Sequence, residues 1–137
     1  MEQLSPHPLG GENPGLLSPL ALAFLGDGVY ELLAREYLLS QGSAPVGRLH
    51  DRTVELVSAA AQSAAYERLS PLLTEEEAAV YRRGRNAHPG HCPKHTEPAV
   101  YHRATGVEAL FGWLYLTGQV ARANELFRVI VAERETE

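Results

Sequence analysis

The sequence predicts an all-α protein, and three features carry this prediction. Apolar residues recur at the three-to-four-residue spacing of amphipathic helices along most of the 137-residue chain. Prolines, glycines and capping residues divide the pattern into segments of helical length. No segment shows the alternation of apolar and polar residues that is typical of a β-strand. One domain is expected, because a chain of this length matches the usual size of a single domain.

The first predicted helix begins at Ser18-Pro19, because serine is a good N-cap and proline fits the first helical position. Its apolar face continues until Gly42. A second helical region opens at Ser43 and runs through an alanine-rich stretch to about Leu69. The next residues, Ser-Pro, predict a break, because a residue that precedes proline disfavours the helical conformation.

Thr74 and Glu77 have the spacing of a capping box, which predicts a short helix from there to about Arg85. Residues 86–97 contain prolines, a glycine and no apolar period, so this segment is predicted to be a loop.

The most apolar helix is predicted from about Pro98 to Thr117, with Gly118 as its C-terminal cap. A last amphipathic helix begins near Val120. Residues 1–17 are rich in proline and glycine, and we expect them to form a flexible N-terminal tail. The helical domain is therefore expected to span residues 18–137, with no membrane-spanning segment.

The charges are unevenly distributed along the chain. The net charge is -5, yet the segment from Arg82 to Arg103 carries a net charge of +4 and the remainder -9. A basic strip on an acidic body suggests a segment that faces a polyanion, beside carboxylates that hold a metal. The single cysteine excludes an internal disulfide and fits a reducing cytoplasm.

Two carboxylates stand in unusually apolar surroundings, Asp27 in the first predicted helix and Glu108 in the helix predicted from about Pro98 to Thr117. A buried carboxylate is costly without a cation, a set of donors or a metal, so both residues need a partner. A divalent cation such as Mg²⁺, which prefers oxygen ligands, is one such partner. The alternative is an ion pair, for example between Asp27 and Arg103 or, for the nearby Glu31, with Arg35.

Glycines accompany both acids, at Gly26 and Gly28 in one helix and at Gly106 and Gly112 in the other. Glycine inside a helix costs about 1 kcal/mol relative to alanine, so a compensating reason is expected. Close approach of the two helices is such a reason, and it would bring the two acids together.

A cluster of donors lies at the end of the short helix, in Arg83-Gly-Arg85-Asn86. Guanidinium groups suit phosphate oxygens, and asparagine can reach a ribose hydroxyl or a base edge. Lys94 and Arg103 extend the basic character beyond the loop. The alternative is a solvated helix end, where positive charge complements the helix dipole.

Two other metal sites are weaker alternatives. His88, His91, Cys92 and His95 are zinc-competent residues within one loop, but no second ligand pair lies at zinc-finger distance. The dipeptide His50-Asp51 matches part of a metal phosphohydrolase pattern, without the further ligands that such a site needs.

Three segments together carry a resemblance to a known family. Residues 22–31 (LAFLGDGVYE) resemble the signature helix of ribonuclease III, and residues 105–116 (TGVEALFGWLYL) resemble the second metal-binding helix of that family. With residues 83–87 (RGRNA), Pro93-Lys94 and Tyr101, the pattern is most similar to the Mini-ribonuclease III subgroup, which has only the catalytic domain. The resemblance covers residues 18–131.

The resemblance implies a ribonuclease III-like helical fold and an endoribonuclease that cuts double-stranded RNA. It implies a homodimer with a valley for the duplex and sites that depend on Mg²⁺, for which Mn²⁺ can substitute. Asp27 and Glu108 match the family's metal-binding and catalytic acids. Arg83, Arg85, Asn86, Lys94 and Arg103 are the expected RNA contacts.

The subgroup implies maturation of a large-subunit ribosomal RNA precursor in the cytoplasm, and leaves open whether a ribosomal protein presents that RNA. We expect no separate RNA-binding domain, so the dimer valley and the basic loop would hold the duplex. Two further acids of the larger enzymes are replaced here by Leu20 and Thr105. This departure leaves fewer protein ligands for a metal, and it keeps open the alternative of a non-catalytic RNA-binding or scaffold protein with the same fold.

Overall fold

The computed structural model describes residues 13–14, 17–87 and 92–135, with side chains up to residue 132. Within this part of the chain all regular structure is helical, which confirms the predicted all-α class. The helices are α1 (Pro19–Ser40), α2 (Val46–Val57), α3 (Ala59–Leu69), α4 (Glu75–Asn86), α5 (Pro98–Leu116) and α6 (Val120–Glu135), and a short 3₁₀ helix (Ser70–Leu72) follows α3. No helix in the described ranges is long and apolar enough to cross a membrane.

The helix ends follow the predicted capping residues. The Ser18 hydroxyl accepts a hydrogen bond from the Ala21 amide at 3.0 Å, which caps α1. Thr74 and Glu77 form the reciprocal capping box of α4, with bonds of 3.1 and 2.9 Å. After α5, Gly118 has a φ of 76°, the left-handed conformation that glycine accepts without strain.

The second predicted helical region is divided into α2 and α3 at Ser58. Ser58 has an extended backbone (φ -60°, ψ 156°), and its hydroxyl accepts a bond from the Ala61 amide at 3.2 Å. This serine ends one helix and caps the next. Because it lies beside an alanine-rich run with good helical propensity, the sequence alone did not predict the break.

Helix α5 lies at the centre of the molecule. It packs most extensively against α1, and also against α4 and α3. Its middle is buried on all sides, which explains why its sequence is apolar without a polar face. The most buried side chains include Val107, Leu110, Phe111 and Leu114, each with no exposed surface.

Glycines let the backbones of α1 and α5 touch. A Cβ on Gly26 would lie 1.6 Å from the carbonyl oxygen of Glu108, and a Cβ on Gly112 would lie 2.1 Å from that of Leu22. Gly106 instead packs against α4, where a Cβ would lie 2.6 Å from the Tyr81 ring. Close approach therefore explains three of the four glycines near the acids. It does not explain Gly28, which has nothing within 4 Å.

The predicted tail falls almost entirely outside the described residues. Leu17, its last residue, packs against the core. The boundary between tail and domain stays a prediction.

Candidate active site

Asp27 and Glu108 face one another across the contact between α1 and α5. Their carboxyl groups are close enough to share a hydrogen bond when one is protonated. Gly26 and Gly112 make this possible, because they hold the two helix backbones together beside the acids. Asp27 is exposed and Glu108 only half-buried, so the expectation that both acids are buried is wrong for Asp27.

The electrostatics of the pair are unfavourable for two negative charges. Burial, followed by the adjacent Asp27 carboxylate, raises the pKa of Glu108 to about 8. The Gln62 side chain acts in the opposite direction, since it lies close enough to Glu108 to lower that pKa. In the described part of the chain, no lysine or arginine forms an ion pair with either acid. Among the described residues, the pair therefore lacks a compensating positive charge.

Two buried polar residues, Tyr30 and Gln62, border Glu108. Burial raises the pKa of Tyr30, and the negative charge of Glu108 raises it further. Among the described residues, neither the Tyr30 hydroxyl nor Gln62 Nε2 has a partner within normal hydrogen-bond geometry, although Gln62 acts on the Glu108 carboxyl group. Both are donors near a carboxylate. Neither residue was predicted as part of the site from the sequence. Only Gln62 could have been noticed there, because it is a glutamine on an otherwise apolar helix face.

This arrangement fits a divalent cation. Two adjacent carboxylates without a basic partner provide oxygen ligands and excess negative charge, which Mg²⁺ requires. Within the described ranges no three His, Cys, Asp or Glu side chains converge. The two replaced acids agree with this small ligand set, because Leu20 is apolar and Thr105 donates its hydroxyl proton to the Tyr101 carbonyl at 3.0 Å.

The ion-pair alternatives have different outcomes. Arg35 pairs with Glu31 at 3.4 Å on adjacent turns of α1, as predicted. Arg103 does not pair with Asp27. Its Nε donates instead to the Ser63 hydroxyl on α3 at 2.7 Å. The interpretation of Asp27 as half of a structural ion pair with Arg103 is therefore wrong.

A basic pocket lies between α3, the end of α4 and the start of α5. Its volume is about 560 Å³, and its lining includes Tyr66, Tyr81, Arg85, Asn86, His102 and Arg103. We call it the Tyr81 pocket. Three of the five predicted RNA contacts meet in it: Arg85, Asn86 and Arg103.

The other two predicted contacts, Arg83 and Lys94, lie outside the pocket lining. Arg83 is exposed on α4, and Lys94 is exposed in the turn before α5.

The tyrosines form the floor of the pocket. Tyr66 and Tyr81 stack with ring centroids 3.9 Å apart and planes 4° from parallel. The Arg85 guanidinium lies over the Tyr81 ring at 5.8 Å. Burial raises the pKa of Tyr81 to about 12, so its hydroxyl stays protonated at neutral pH.

The alternative metal sites gain no support. His88 and His91, two of the four residues of the zinc hypothesis, lie outside the described residues. The Cys92 thiol lies 3.7 Å from the Thr96 carbonyl oxygen, to which it donates. His50 and Asp51 are exposed on α2, with no convergent third ligand in the described part of the chain.

Another acid, Glu77, lies in a different environment. It is 3% exposed, and its carboxylate accepts bonds from Arg122 Nε and Nη2, each at 2.9 Å, as well as from the Thr74 amide. The Arg122 hydrogen bond is the main cause of its lowered pKa. The capping role of Glu77 was predicted from the sequence, but its pairing with Arg122, 45 residues away, was not.

A helical fold with paired carboxylates beside a basic pocket is the arrangement expected of a metal-assisted phosphodiester hydrolase. A family model described as the ribonuclease III domain matches residues 20–119. The chain belongs to the ribonuclease III family and is an endoribonuclease.

Relatives and one solved structure agree with this assignment. The chain is 48% identical over 116 residues to the Mini-ribonuclease 3 of Symbiobacterium thermophilum, covering 85% of this chain and 89% of that protein. It is 41% identical over 125 residues to the Mini-ribonuclease 3 of Brevibacillus brevis, covering 91% and 93%. The crystal structure of protein FN1578 from Fusobacterium nucleatum superimposes with a TM-score of 0.76 at 30% identity, covering 83% of this chain and 87% of that one.

Proposed function

We propose that this endoribonuclease hydrolyses phosphodiesters in double-stranded RNA stems, with Mg²⁺ held by Asp27 and Glu108. The observation that carries the proposal is the juxtaposition of these two carboxylates without a basic partner among the described residues. A divalent cation between them would relieve their repulsion, and Mn²⁺ would serve with the same oxygen ligands.

When bound, the cation supplies a water of lowered pKa and stabilises negative charge on the phosphodiester. The residues of the chain position the reacting groups. Asp27 and Glu108 would orient the attacking water, and the nearby Gln62 amide would help to position the Glu108 carboxylate. With few protein ligands, the affinity for the cation in the free enzyme is expected to be weak, and RNA phosphates would supply further oxygen ligands.

The basic residues hold the substrate. Arg85, Asn86 and Arg103 line the Tyr81 pocket, while Arg83 and Lys94 present further positive charge nearby. Their contacts with phosphates make binding strongly salt-dependent, because each neutralised phosphate releases counterions. Replacing Arg83 and Arg85 by alanine should weaken binding and reduce its salt dependence.

A second copy of the chain completes the RNA-binding surface. Leu20, Phe24 and Leu32 form an apolar stripe on α1 and are 37%, 85% and 42% exposed. An exposed phenylalanine in such a stripe favours a symmetric interface with a partner. Because Asp27 lies on the same exposed helix, the dimer would bring two sites to one valley.

The dimer is tested by sedimentation velocity. Phe24→Glu should convert the protein to a monomer. Val54→Glu, which changes an apolar residue on α2 that is 61% exposed, should leave the dimer intact. A wild-type monomer with full activity would contradict the dimer.

The substrate in the cell is proposed to be a precursor of large-subunit ribosomal RNA. This assignment rests on the resemblance of the sequence to the Mini-ribonuclease III subgroup. The single cysteine agrees with action in the reducing cytoplasm. Whether a ribosomal protein assists is tested by adding the assembling particle in place of the naked precursor and comparing the cleavage rates.

The decisive assay is cleavage of a long RNA duplex in Mg²⁺ and in EDTA. We expect Mg²⁺-dependent cutting by the wild-type protein and none by Asp27→Asn. Asp51→Asn, which changes an exposed acid on α2, is the matched control and should cut normally. Failure of the wild-type protein to cut both this duplex and a structured ribosomal precursor would contradict the proposal and favour the non-catalytic RNA-binding alternative.

A further inference from the structure

The Tyr81 pocket concentrates positive charge in an otherwise acidic protein. Arg85 and Arg103 both lie close enough to Tyr81 to lower its pKa, so the two guanidinium groups share one small space. The pocket lining includes no carboxylate among the described residues. Two guanidinium groups together without an acid favour an anion, and their planar donors match the oxygens of a phosphate.

Both arginines are held in place by their Nε atoms. Arg103 donates from Nε to Ser63 at 2.7 Å, and Arg85 donates from Nε to the Asn86 side-chain oxygen at 3.1 Å. The Tyr81 ring lies beneath the Arg85 guanidinium. These contacts do not use the terminal amino groups, which are the donors that bind phosphate in pairs. The pocket is therefore organised before any ligand arrives.

Helix α3 connects this pocket to the acid pair. Gln62 acts on Glu108, and the next residue, Ser63, holds Arg103. On α5, Arg103 precedes Glu108 by five residues, which corresponds to about 7–8 Å along the helix axis. A single RNA strand can span this distance within a few nucleotides.

We infer that the Tyr81 pocket binds a backbone phosphate of the RNA strand being cut, about one to three nucleotides from the scissile phosphodiester. Arg85 and Arg103 bind its oxygens, Asn86 contributes its amide, and the stacked tyrosines form a rigid floor. The inference rests on the proposed function and adds a defined subsite to it. The subsite would fix the register of the strand against Asp27 and Glu108.

The test combines protein variants with single neutral phosphates. A short duplex with one cleavage site is prepared with a methylphosphonate at each of the three positions on either side of the cut. Binding is measured by fluorescence anisotropy in EDTA, where metal-dependent cleavage does not occur. For the wild-type protein, one position should weaken binding about tenfold, the usual size of a charge-assisted hydrogen-bond loss.

Arg103→Gln should lose part of this affinity for the unmodified duplex and show a clearly smaller further loss at that one position than the wild-type protein does. Arg85→Gln provides a second, independent variant. Arg128→Gln, an exposed arginine on α6, should behave like the wild-type protein at all positions. Thermal melting confirms that each variant is folded.

The outcomes separate the two proposals. Suppose that the wild-type protein cuts the unmodified duplex in Mg²⁺, but that each methylphosphonate lowers the affinity of Arg103→Gln and Arg85→Gln as much as it lowers that of the wild-type protein. The pocket inference is then wrong and the proposed function stands. If the wild-type protein neither binds nor cuts the duplex, both are wrong.

Discussion

Glu77 and Glu108 both have buried surroundings, but these surroundings shift the pKa values of the two acids in opposite directions. Glu77 caps α4 and accepts two bonds from Arg122, which lower its pKa. Glu108 faces Asp27, and its pKa rises to about 8. The first acid stabilises the junction of α4 and α6, whereas ionisation of the second is disfavoured unless a cation neutralises it. Both acids lie in buried surroundings, so the basic partner, rather than burial alone, separates the structural acid Glu77 from the proposed metal ligand Glu108.

The largest expected difference is in activity. Glu108→Gln should reduce RNA cleavage about 10²–10⁴-fold, because a lost cation contribution of several kcal/mol has that effect on rate. RNA binding in EDTA and the folded state should be retained. Glu77→Gln should retain cleavage per folded molecule. Single-turnover cleavage rates, normalised to the folded fraction, measure this difference. An equal loss of rate in Glu77→Gln and Glu108→Gln would contradict the distinction between the two acids.

The next effect concerns stability. Glu77→Ala leaves Arg122 without its main partner and should lower the free energy of unfolding by about 3–5 kcal/mol. The melting temperature should fall by roughly 10 °C or more, as measured by circular dichroism. Glu125→Ala removes the exposed partner of the same arginine and should cost less than about 1 kcal/mol. Equal losses of unfolding free energy in the two variants would show that Glu77 stabilises the fold no more than an exposed acid does.

The contact between α1 and α5 gives a third test, because the acid pair depends on it. Gly26→Ala should lower the free energy of unfolding by about 2–3 kcal/mol, since a Cβ there meets the Glu108 carbonyl. Cleavage should fall as well, because the acids move apart. Gly47→Ala places a Cβ in open space on α2 and should change stability by less than about 1 kcal/mol. Chemical denaturation of both variants measures the difference.

The smallest effect is the pH dependence of stability in EDTA. The folded pKa of Glu108 lies above its usual value of 4.5, so its contribution is complete below pH 4.5 and is lost as pH rises through about 8. Glu108→Gln should therefore gain roughly 2 kcal/mol on the wild-type protein between pH 5 and pH 9, about half of what the full pKa difference gives, because Glu108 is only half-buried and solvent screens its charge.

Glu77 has a lowered pKa, so its contribution is present above its unfolded pKa and is lost at acidic pH. Melting curves of Glu77→Gln and Glu108→Gln at several pH values test this difference. As the pH rises, the first variant should lose stability relative to the wild-type protein and the second should gain it, so a change in the same direction would contradict the comparison.

Local features of this fold could be predicted from the sequence. Capping at Ser18, the capping box at Thr74 and Glu77, and the end of α5 at Gly118 depend on neighbouring residues, so their patterns were readable. The break at Ser58 was not, because a serine next to alanines is compatible with a continuous helix.

The candidate site was predicted in part. Asp27 and Glu108 were found because acids in apolar segments need a partner, and the accompanying glycines indicated the helix contact. Tyr30, Gln62 and Arg122 were missed because their roles depend on which helix faces meet, across sequence separations that no local period records. The exposure of Asp27 was missed for the same reason: its helix is apolar also on the face that carries Phe24.

If Asp27 and Glu108 form the proposed divalent-cation site, the free protein should bind Mn²⁺ through these two residues. Electron paramagnetic resonance titration of the free protein should show Mn²⁺ binding that both Asp27→Asn and Glu108→Gln abolish and that Mg²⁺ displaces. Glu77→Gln should bind Mn²⁺ like the wild-type protein. Unchanged binding in the Asp27 and Glu108 variants, or loss in the Glu77 variant, would contradict the account.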